Sequence, residues 1–296
     1  MKTIISLFDG MSCGQQAINK LGLKEYKYLA SEIDKYSIAV TRKNYINTIH
    51  IGSVIDIKIE QVSKYKFRIN NLPELIDIRE VILIGGSPCQ GFSFAGKRNG
   101  AVTKENIEIM TLKQYLELKN NGFEFQGQSY LFWEYIRILR ELQNINENIE
   151  FLLENVEMQK KWKDMFNETV GVHPLKINSS LFSAQNRVRY YWTNISDIKE
   201  PINKDIKLKD ILEDTNIQNN DIFPAAIRGR NIELNKATII GRRLNSYGKR
   251  DDYNKKIPIT QCLEVRATNR DKSNCLTTVS KDNVLTVKPI GRHPGA

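Results

Sequence analysis

Short apolar runs alternate with amphipathic segments through the first two thirds of the chain. Four runs have the length and composition of buried strands, at residues 3–8, 28–33, 81–84 and 149–153. Four segments have the apolar spacing of helices with charges on the outer face, at residues 15–21, 35–44, 130–142 and 158–170. Strands that alternate with helices predict an α/β fold with a doubly wound, mostly parallel sheet, which binds ligands at the carboxyl ends of its strands.

The rest of the pattern divides the chain unevenly. Residues 187–195 are rich in Tyr, Trp and Thr and predict a late strand. From about Ile198 the sequence is polar and rich in Asn and Lys, which predicts a smaller, loop-rich region over residues 196–296 after a main domain over residues 1–195. Residues 97–127 separate two well-patterned segments and contain several glycines, so they are a candidate mobile lid beside the ligand edge.

The composition is that of a soluble globular protein, with 41% hydrophobic and 26% charged residues. No apolar run approaches the length of a membrane span. The first eight residues contain only a brief apolar stretch, which is typical of a first strand and not of a signal peptide. We therefore expect a cytoplasmic protein with no membrane partner.

The four cysteines, Cys13, Cys89, Cys262 and Cys275, show no Cys-x-x-Cys pairing, and the three histidines are scattered between them. This spacing does not suit zinc, so we predict no metal site. In a reducing compartment the cysteines are expected to be thiols, and one of them is a candidate nucleophile.

The net charge of +10 favours a polyanionic partner. Residues 225–272 contain twelve Lys or Arg and five Asp or Glu, so this segment carries +7 of the +10. A solvated basic surface is the common alternative. Because most of the excess lies in one segment, nucleic-acid contact is the better interpretation.

A glycine-containing turn follows the first predicted strand, at Phe8-Asp9-Gly10-Met11-Ser12-Cys13-Gly14. Gly10 and Gly14 would let the turn tighten and its backbone approach a ligand. Glu32 ends the second strand, where a carboxylate can accept both ribose hydroxyls of a nucleoside. Taken alone, a tight turn and an ordinary surface Glu explain this pair equally well.

The chain has no second Gly-x-x-Gly turn for a pyrophosphate. Its absence argues against NAD and FAD and favours a cofactor without phosphates, such as S-adenosylmethionine. The third strand region, residues 50–54, is a candidate for adenine contacts, although its signal is weak.

The motif Gly85-Gly86-Ser87-Pro88-Cys89-Gln90-Gly91-Phe92-Ser93 follows the strand at residues 81–84 directly. A buried cysteine is usually an inert small hydrophobe, but such cysteines lie inside apolar runs. Cys89 lies in a Gly/Ser/Pro turn at a ligand edge, so the catalytic interpretation is favoured. An ordinary thiol is largely protonated at neutral pH, and we expect positive potential that favours the thiolate.

Two further motifs carry charged groups at strand ends. Glu154-Asn155-Val156 closes the strand at 149–153, where partial desolvation makes Glu154 a candidate proton donor. An acid at a helix amino end is the alternative. Arg187 and Arg189 are two residues apart, which would direct both to one face of a strand, with a basic strand edge as the alternative.

In this order the motifs resemble the cytosine-C5 DNA methyltransferase family over roughly residues 1–194. The matching elements are Asp9-Gly10-x-Ser12-x-Gly14, Glu32, Gly86-Ser87-Pro88-Cys89-Gln90, Glu154-Asn155-Val156 and Gln185-x-Arg187-x-Arg189. The resemblance implies a Rossmann-like methyltransferase fold, with catalysis and cofactor binding in residues 1–195. Residues 195 to about 270 would form the target-recognition region on double-stranded DNA.

The resemblance also implies a role for each matching residue. Cys89 would add to C6 of a flipped-out cytosine, Glu154 would donate toward N3, Arg187 would contact the base near O2, and Arg189 would steady the catalytic turn. S-adenosylmethionine would supply the methyl group. Its binding residues would be Phe8, Asp9, Gly10, Ser12, Gly14, Glu32, Ser53, Val54 and Pro88.

The sequence departs from the family pattern in two places. Ser53 stands where the family usually has an Asp that contacts the adenine amino group, and Asp56 is the candidate substitute. The family's Arg-x-Leu-Thr-Pro-x-Glu segment and its Gly-Asn-x-Val-like helix have no match, although residues 274–283 resemble the lead-in. We therefore expect weak cofactor binding by this chain alone and activity when a second polypeptide supplies those elements; a truncated gene is the alternative.

The predicted function is that of a DNA (cytosine-5-)-methyltransferase, bacterial or phage-encoded, in or outside a restriction–modification system. One alternative is a cytosine-C5 methyltransferase of the same fold that acts on RNA, including tRNA. The other is a catalytically incomplete DNA-binding fragment or subunit. A thiol hydrolase is a distant third, because no histidine lies in a matching motif.

Overall fold

The computed structural model describes residues 1–70, 72–94, 99–211, 232–243, 256–258, 260–266 and 284–289. The chain forms two compact units. The first comprises Met1–Ile177 and Val188–Glu200, and the second comprises Asn178–Arg187 and Pro201–Ala296. Among the described residues, no helix has the length and apolar composition that crossing a membrane requires.

The strands are β1 (Lys2–Leu7), β2 (Tyr26–Ser31), β3 (Ile49–His50), β4 (Ile59–Ser63), β5 (Lys66–Ile69), β6 (Ile76–Asp77), β7 (Val81–Gly86), β8 (Val102–Thr103), β9 (Phe125–Gln126), β10 (Glu150–Val156), β11 (Leu175–Asn178), β12 (Val188–Thr193), β13 (Ile232–Arg242), β14 (Thr260–Arg266) and β15 (Val284–Pro289). The α-helices are α1 (Cys13–Lys20), α2 (Lys35–Asn44), α3 (Leu112–Asn120), α4 (Phe132–Ile145) and α5 (Lys160–Val170).

A seven-stranded sheet in the order β11-β12-β10-β7-β1-β2-β3 is the centre of the first unit. The pairs β1–β2, β2–β3, β1–β7 and β7–β10 are parallel, and β10–β12 is antiparallel. The chain builds outward from β1 through β2 and β3, and then returns to β7 on the other side of β1. The predicted α/β fold with a doubly wound, mostly parallel sheet is confirmed, and its switch point lies between β1 and β7.

The predicted elements of the first unit agree with the structure to within three residues at each end. The four predicted strands correspond to β1, β2, β7 and β10, and the predicted helix at residues 35–44 has the bounds of α2. The prediction that the helix at residues 130–142 keeps its charges outside is wrong at Glu134. This side chain is fully buried in α4, among polar partners that compensate its charge.

The segment predicted as a mobile lid, which the structure describes from residue 99 onward, contains secondary structure. It holds α3 and the two-stranded pair β8–β9, in which Val102 lies opposite Gln126. Ala101, Ile109 and Tyr115 are buried in the main core. The sequence analysis missed α3, although Leu112, Tyr115 and Leu116 have helical spacing and the Thr111 side chain caps the first turn.

The sequence analysis also missed two small antiparallel sheets. In the first unit, β4-β5-β6 buries Phe67 and Ile69 on one face. In the second unit, the described strands form a sheet in the order β14-β13-β15, within the region predicted to be loop-rich. Antiparallel strands often keep one polar face, so a polar segment such as β13 does not by itself indicate a loop.

Candidate active site

The turn after β1 contains three residues in the left-handed region. Phe8, Gly10 and Ser12 have φ values of 56°, 59° and 59°. Only Gly10 adopts this conformation without a steric penalty, which is about 1 kcal/mol or more for a residue with a side chain. The surrounding bonds offset this penalty: the Asp9 amide donates to the Ser31 carbonyl oxygen at 3.1 Å, and the buried Ser12 hydroxyl donates to the Asp9 carboxylate.

Asp9 joins this turn to the middle of β2. The Tyr28 hydroxyl donates to Asp9 Oδ1 at 2.6 Å, while Ser12 bonds to Oδ2. Burial raises the pKa of Tyr28 above its ordinary value, and the negative charge of Asp9 raises it further. Both carboxylate oxygens of Asp9 therefore accept hydrogen bonds within the protein, and the side chain holds the turn against β2.

The two glycines of the turn have different structural roles. Gly10 needs its left-handed φ, and a β-carbon added there would meet no atom within 4 Å, so the space beyond it is open. Gly14 lies in α1, where an added β-carbon would lie 2.5 Å from the Tyr28 hydroxyl and 2.7 Å from Ile84 Cδ1. Gly14 therefore has a packing constraint besides the ligand approach predicted for it, because only a residue without a side chain fits above Tyr28 and Ile84.

Glu32 follows β2 and reaches across to the first turn. Its Oε2 accepts the Gly10 amide at 2.7 Å, and its Oε1 accepts the amides of Ile33 and Asp34, both at 2.8 Å. A carboxylate has about four acceptor positions, and three are used here. One position on Oε2 remains for a ligand hydroxyl, so accepting two ribose hydroxyls would displace a backbone donor.

Ser53 and Val54 lie just beyond β3, at the same edge of the sheet. The Ser53 hydroxyl accepts the Ile55 amide at 3.4 Å and caps the short 3₁₀ turn Val54–Asp56. Gly52 has a φ of 80° with open space on its β-carbon side. Val54 is buried and Asp56 is exposed, so Asp56 is not engaged in the core of this turn.

Cys89 lies in the turn that follows β7, and its side chain is half-buried. The Asn155 side-chain amide is buried and donates to the carbonyl oxygen of Ser87 at 3.1 Å and to its hydroxyl at 3.0 Å. The Phe92 and Ser93 amides both donate to the Cys89 carbonyl oxygen at 2.9 Å. These bonds fix the backbone before and after the thiol.

The far side of the Cys89 turn is anchored in the core. The buried Gly91 amide donates to Ser129 Oγ at 2.7 Å, and the Gly91 carbonyl accepts the Gly100 amide at 2.9 Å. Phe92 packs edge-on against Phe132, Trp162 and Phe166, at centroid distances of 6.4, 5.7 and 5.1 Å. The half-buried thiol is therefore carried on a backbone that is fixed on both sides.

Gly91→Ala is expected to destabilise the protein and disturb the Cys89 turn. The added β-carbon would lie 2.2 Å from the Gly100 carbonyl oxygen and 2.7 Å from Ser129 Oγ, so backbone must move. Such overpacking costs about 1–3 kcal/mol. Urea unfolding would measure the free energy, and labelling of Cys89 by a thiol reagent would report the turn. Gly122→Ala is the control for the labelling: its β-carbon meets no atom, but its φ of 76° strains an alanine, so it should lower the stability by about 1 kcal/mol without changing the labelling of Cys89. Equal labelling of Cys89 in both variants would contradict the role of Gly91.

Glu154 lies opposite Gly86 in the parallel pair β7–β10, so the Cys89 turn begins beside it. A β-carbon at Gly86 would lie 3.0 Å from Glu154 Oε2. Arg189 Nε is 2.8 Å from Glu154 Oε1, and both side chains are partly shielded from solvent. Arg189 also donates from Nη1 to the Val188 carbonyl oxygen at 2.7 Å. Arg189 thus contacts the candidate acid, whereas the sequence predicted that it steadies the catalytic turn.

Arg187 precedes β12 and belongs to the second unit, so only Arg189 of this pair lies within a strand. The Arg187 amide donates to Asn178 Oδ1 at 3.0 Å, and its carbonyl accepts the Ser179 amide at 3.0 Å. Its side chain is half-buried. The expectation that the two arginines share one face of a strand is therefore corrected.

Several positioning residues escaped the sequence analysis. Tyr28, Asn155 and Ser129 each bond to a predicted site residue or to its turn, from elements that are distant in sequence. Only Asn155 lay within a quoted motif, and its amide is suited to holding a backbone carbonyl. Among the described residues, no group of three or more His, Cys, Asp or Glu could hold a metal ion.

Two curated relatives are phage or bacterial methyltransferases. The orphan methyltransferase M.SPRI of Bacillus phage SPR is 28% identical over 221 residues, which cover 71% of this chain and 42% of that protein. The type II methyltransferase M.NgoBV of Neisseria gonorrhoeae is 26% identical over 221 residues, which cover 71% of this chain and 46% of that protein. The chain thus spans less than half the length of either relative.

Similarity to solved structures is more distant. The S. pombe Dnmt2 methyltransferase aligns with a TM-score of 0.40 and 14% identity, over 68% of this chain and 53% of that chain, a level that supports no conclusion. A model of C-5 cytosine-specific DNA methylases matches residues 2–275, which is nearly the whole sequence. The chain therefore belongs to the C-5 cytosine-specific DNA methylase family.

Proposed function

We propose that this chain carries the catalytic and cofactor-binding part of an S-adenosylmethionine-dependent DNA (cytosine-5-)-methyltransferase. The observation that carries the proposal is the juxtaposition of three strand ends, those of β1, β7 and β10. The Cys89 turn leaves β7 at Gly86, directly beside Glu154 of β10, and the turn that carries Gly10 leaves the neighbouring strand β1 at the same edge. A nucleophile, an acid and a nucleoside-binding turn are thus delivered to one edge.

The residues that follow β1, β2 and β3 suit S-adenosylmethionine. Glu32 has one acceptor position left for a ribose hydroxyl, and the spaces beyond Gly10 and Gly52 are open. Ile33 is 67% exposed and Met11 is 56% exposed, which provides apolar surface for a nucleoside. The proposed binding residues also include Phe8, Asp9, Ser12, Gly14, Ser53, Val54 and Pro88, of which Asp9, Ser12 and Gly14 shape the turn from within.

The chemistry requires a thiolate that can add to a ring and later leave. Cys89 adds through Sγ to C6 of a flipped-out cytosine, because stacking covers C6 within a duplex. Glu154 holds a proton at N3, which draws charge from the ring while C5 becomes nucleophilic. When bound, S-adenosylmethionine supplies the methyl group that C5 takes. Loss of the C5 proton then expels the Cys89 sulfur and restores the aromatic ring.

The two arginines have separate proposed roles. Arg189 holds the Glu154 carboxyl group in place through its 2.8 Å contact, and is a positioning residue for the acid. Arg187 contacts the base near O2, as the family resemblance implies. Arg189 of β12 thereby holds the proposed acid. Asn155 of β10 holds the backbone at Ser87, two residues before the proposed nucleophile.

The basic segment at residues 225–272 is proposed to contact DNA phosphates. Replacing Arg242, Arg243, Lys249 and Arg250 with glutamine is expected to weaken binding to any DNA sequence. Each phosphate contact that is lost should lower the salt slope of log K by about 0.9. Fluorescence anisotropy across a salt series would measure it. Lys249 and Arg250 lie outside the described residues, so this prediction rests on charge alone.

A control with the same change in net charge separates local contact from overall charge. It replaces four exposed lysines of the first unit with glutamine: Lys20, Lys24, Lys43 and Lys58. The control should leave the slope nearly unchanged. Equal slopes for the basic-segment variant and the wild type would mean that the segment only increases solubility.

The proposed activity is tested by methyl transfer from isotopically labelled S-adenosylmethionine. The full polypeptide that its gene encodes would be incubated separately with duplex DNA and with RNA, including tRNA, and the products digested to nucleosides. Label in 5-methyldeoxycytidine supports the proposal. Label confined to RNA or label at another atom of cytosine would contradict it. Absence of transfer would contradict it if it persists when a polypeptide with the Arg-x-Leu-Thr-Pro-x-Glu and Gly-Asn-x-Val-like elements is added.

A further inference from the structure

A buried carboxylate in α4 has three polar partners in the first unit. Glu134 is 0% exposed. Its Oε1 accepts from the Tyr115 hydroxyl at 2.5 Å and from Lys119 Nζ at 2.6 Å, and both of these residues belong to α3. Its Oε2 accepts from Arg137 Nε at 2.7 Å. The carboxylate thus has one oxygen directed to α3 and the other to the next turn of its own helix.

Arg137 extends this network to the edge of the sheet. Its side chain is 13% exposed, with Nη1 donating to Glu141 Oε1 at 2.9 Å and Nη2 donating to the Val54 carbonyl oxygen at 3.2 Å. Because the guanidinium is planar, the bonds at Nε and Nη1 fix the direction of Nη2. Arg137 therefore presents a preoriented donor to Val54.

The turn that receives this donor has one local backbone bond of ordinary length, from the Asp56 amide to the Ser53 carbonyl oxygen at 3.0 Å, and two longer contacts. Its Ser53 cap is a 3.4 Å contact to the Ile55 amide, and the Ile57 amide reaches the Val54 carbonyl oxygen at 3.4 Å. The Arg137 bond is shorter than both and carries a full positive charge, and hydrogen bonds to charged groups are stronger than neutral ones. At the Val54 carbonyl oxygen, Arg137 is thus the stronger of the two donors and anchors this part of the turn.

We propose that Glu134 and Arg137 are positioning residues for the cofactor site. Glu134 orients Arg137, and Arg137 holds the Val54 turn where it contacts adenine. Through Tyr115 and Lys119, the same carboxylate couples that turn to the inserted helix α3. This inference rests on the proposed function, because it takes Val54 and Ser53 as cofactor contacts.

A purely structural ion pair is the alternative explanation. Buried ion pairs often contribute little net stability, so a loss of stability would not identify a positioning role. Arg140 provides a matched comparison on the same helix. It is also half-buried, and it donates from Nη1 to Gln143 at 2.6 Å and from Nη2 to the Thr169 carbonyl oxygen at 2.5 Å. Arg140 thus anchors a carbonyl that has no proposed part in the site.

The experiment compares Arg137→Met with Arg140→Met in the full chain, by two readouts. Hydrogen exchange of the amides at residues 55–57 is expected to become faster only in the Arg137 variant. Calorimetry with S-adenosylhomocysteine is expected to give about tenfold weaker binding, or more, only in the Arg137 variant. Arg137→Lys keeps the charge beside Glu134 but loses the planar fork, so it should fold normally and still show faster exchange.

Equal exchange and equal affinity in the Arg137 and Arg140 variants would overturn the inference. If Arg137→Met fails to fold, Arg137→Lys gives the same comparison, and wild-type exchange in that variant overturns it as well. A wild-type protein that does not bind S-adenosylhomocysteine even after addition of a polypeptide with the two unmatched family elements would contradict the proposed function. The exchange comparison needs no ligand, so it still tests the positioning role in that case.

Discussion

Cys89→Ala is expected to abolish covalent capture of DNA that contains 5-fluorocytosine. Fluorine replaces the hydrogen at C5, so after methyl transfer no proton can be lost and the Cys89 sulfur cannot leave. The wild-type protein should therefore form an adduct that survives denaturing electrophoresis. Methyl transfer to ordinary DNA should fall on the order of 10⁴-fold or more in the variant, as expected when a covalent nucleophile is removed.

Cys13→Ala is the control for this experiment. Cys13 is the other thiol whose side chain the structure describes, and it is exposed at the start of α1. It should be dispensable for capture, because it lies on the turn after β1 and not on the turn beside Glu154. Capture by the Cys89 variant at the wild-type level would show that the nucleophile has been assigned to the wrong residue.

Glu154→Gln is expected to slow methyl transfer by about 10²–10⁴-fold while leaving DNA binding nearly unchanged. Glutamine has almost the same shape and keeps an oxygen for Arg189, but it has no acidic proton to place at N3 of the base. Single-turnover methyl transfer with saturating DNA would measure the chemical step. Fluorescence anisotropy would measure the affinity for DNA separately.

Glu157→Gln is the matched control on the same segment. Glu157 pairs with Lys176 at 2.6 Å, and its side chain is 40% exposed. Surface ion pairs contribute little to stability, so the change should have almost no effect on the rate of methyl transfer. If Glu154→Gln and Glu157→Gln transfer the methyl group equally fast, Glu154 is not the acid. If Glu154→Gln instead loses DNA affinity and keeps its rate, Glu154 is a binding residue.

The sequence predicted the framework of the site because its signals are local. The apolar run at residues 81–84 followed by a Gly/Ser/Pro turn located the end of β7, and the acid after the next long run located the end of β10. Parallel strands bring their carboxyl ends to one edge whatever the detailed packing. The sequence alone therefore predicts that Cys89 and Glu154 lie at the same edge of the sheet.

The positioning contacts could not be predicted because they join residues that are distant along the chain. Glu134 has the periodicity of an exposed helical position, and its burial depends on Tyr115 and Lys119 of α3 in addition to Arg137 of its own helix. Gly14 similarly matches a ligand-binding pattern, while the close packing of Tyr28 and Ile84 leaves no room there for a β-carbon. Local sequence reports periodicity and turn chemistry, whereas these constraints arise from tertiary contacts.

The reversed direction of β12 has a consequence for synthesis on the ribosome. In β12 the chain begins at the functional edge, so Arg189 lies opposite Val156 and reaches Glu154 from a strand that emerges after β10 and α5. Chains are extended at about 5–20 residues per second, so Arg189 is synthesised on the order of seconds after Glu154. During that interval the side of β10 that pairs with β12 in the finished sheet would have no partner strand. A nascent chain would thus carry the proposed nucleophile and the proposed acid on a sheet with one open side, and the proposed site would be complete only after β12 pairs with β10.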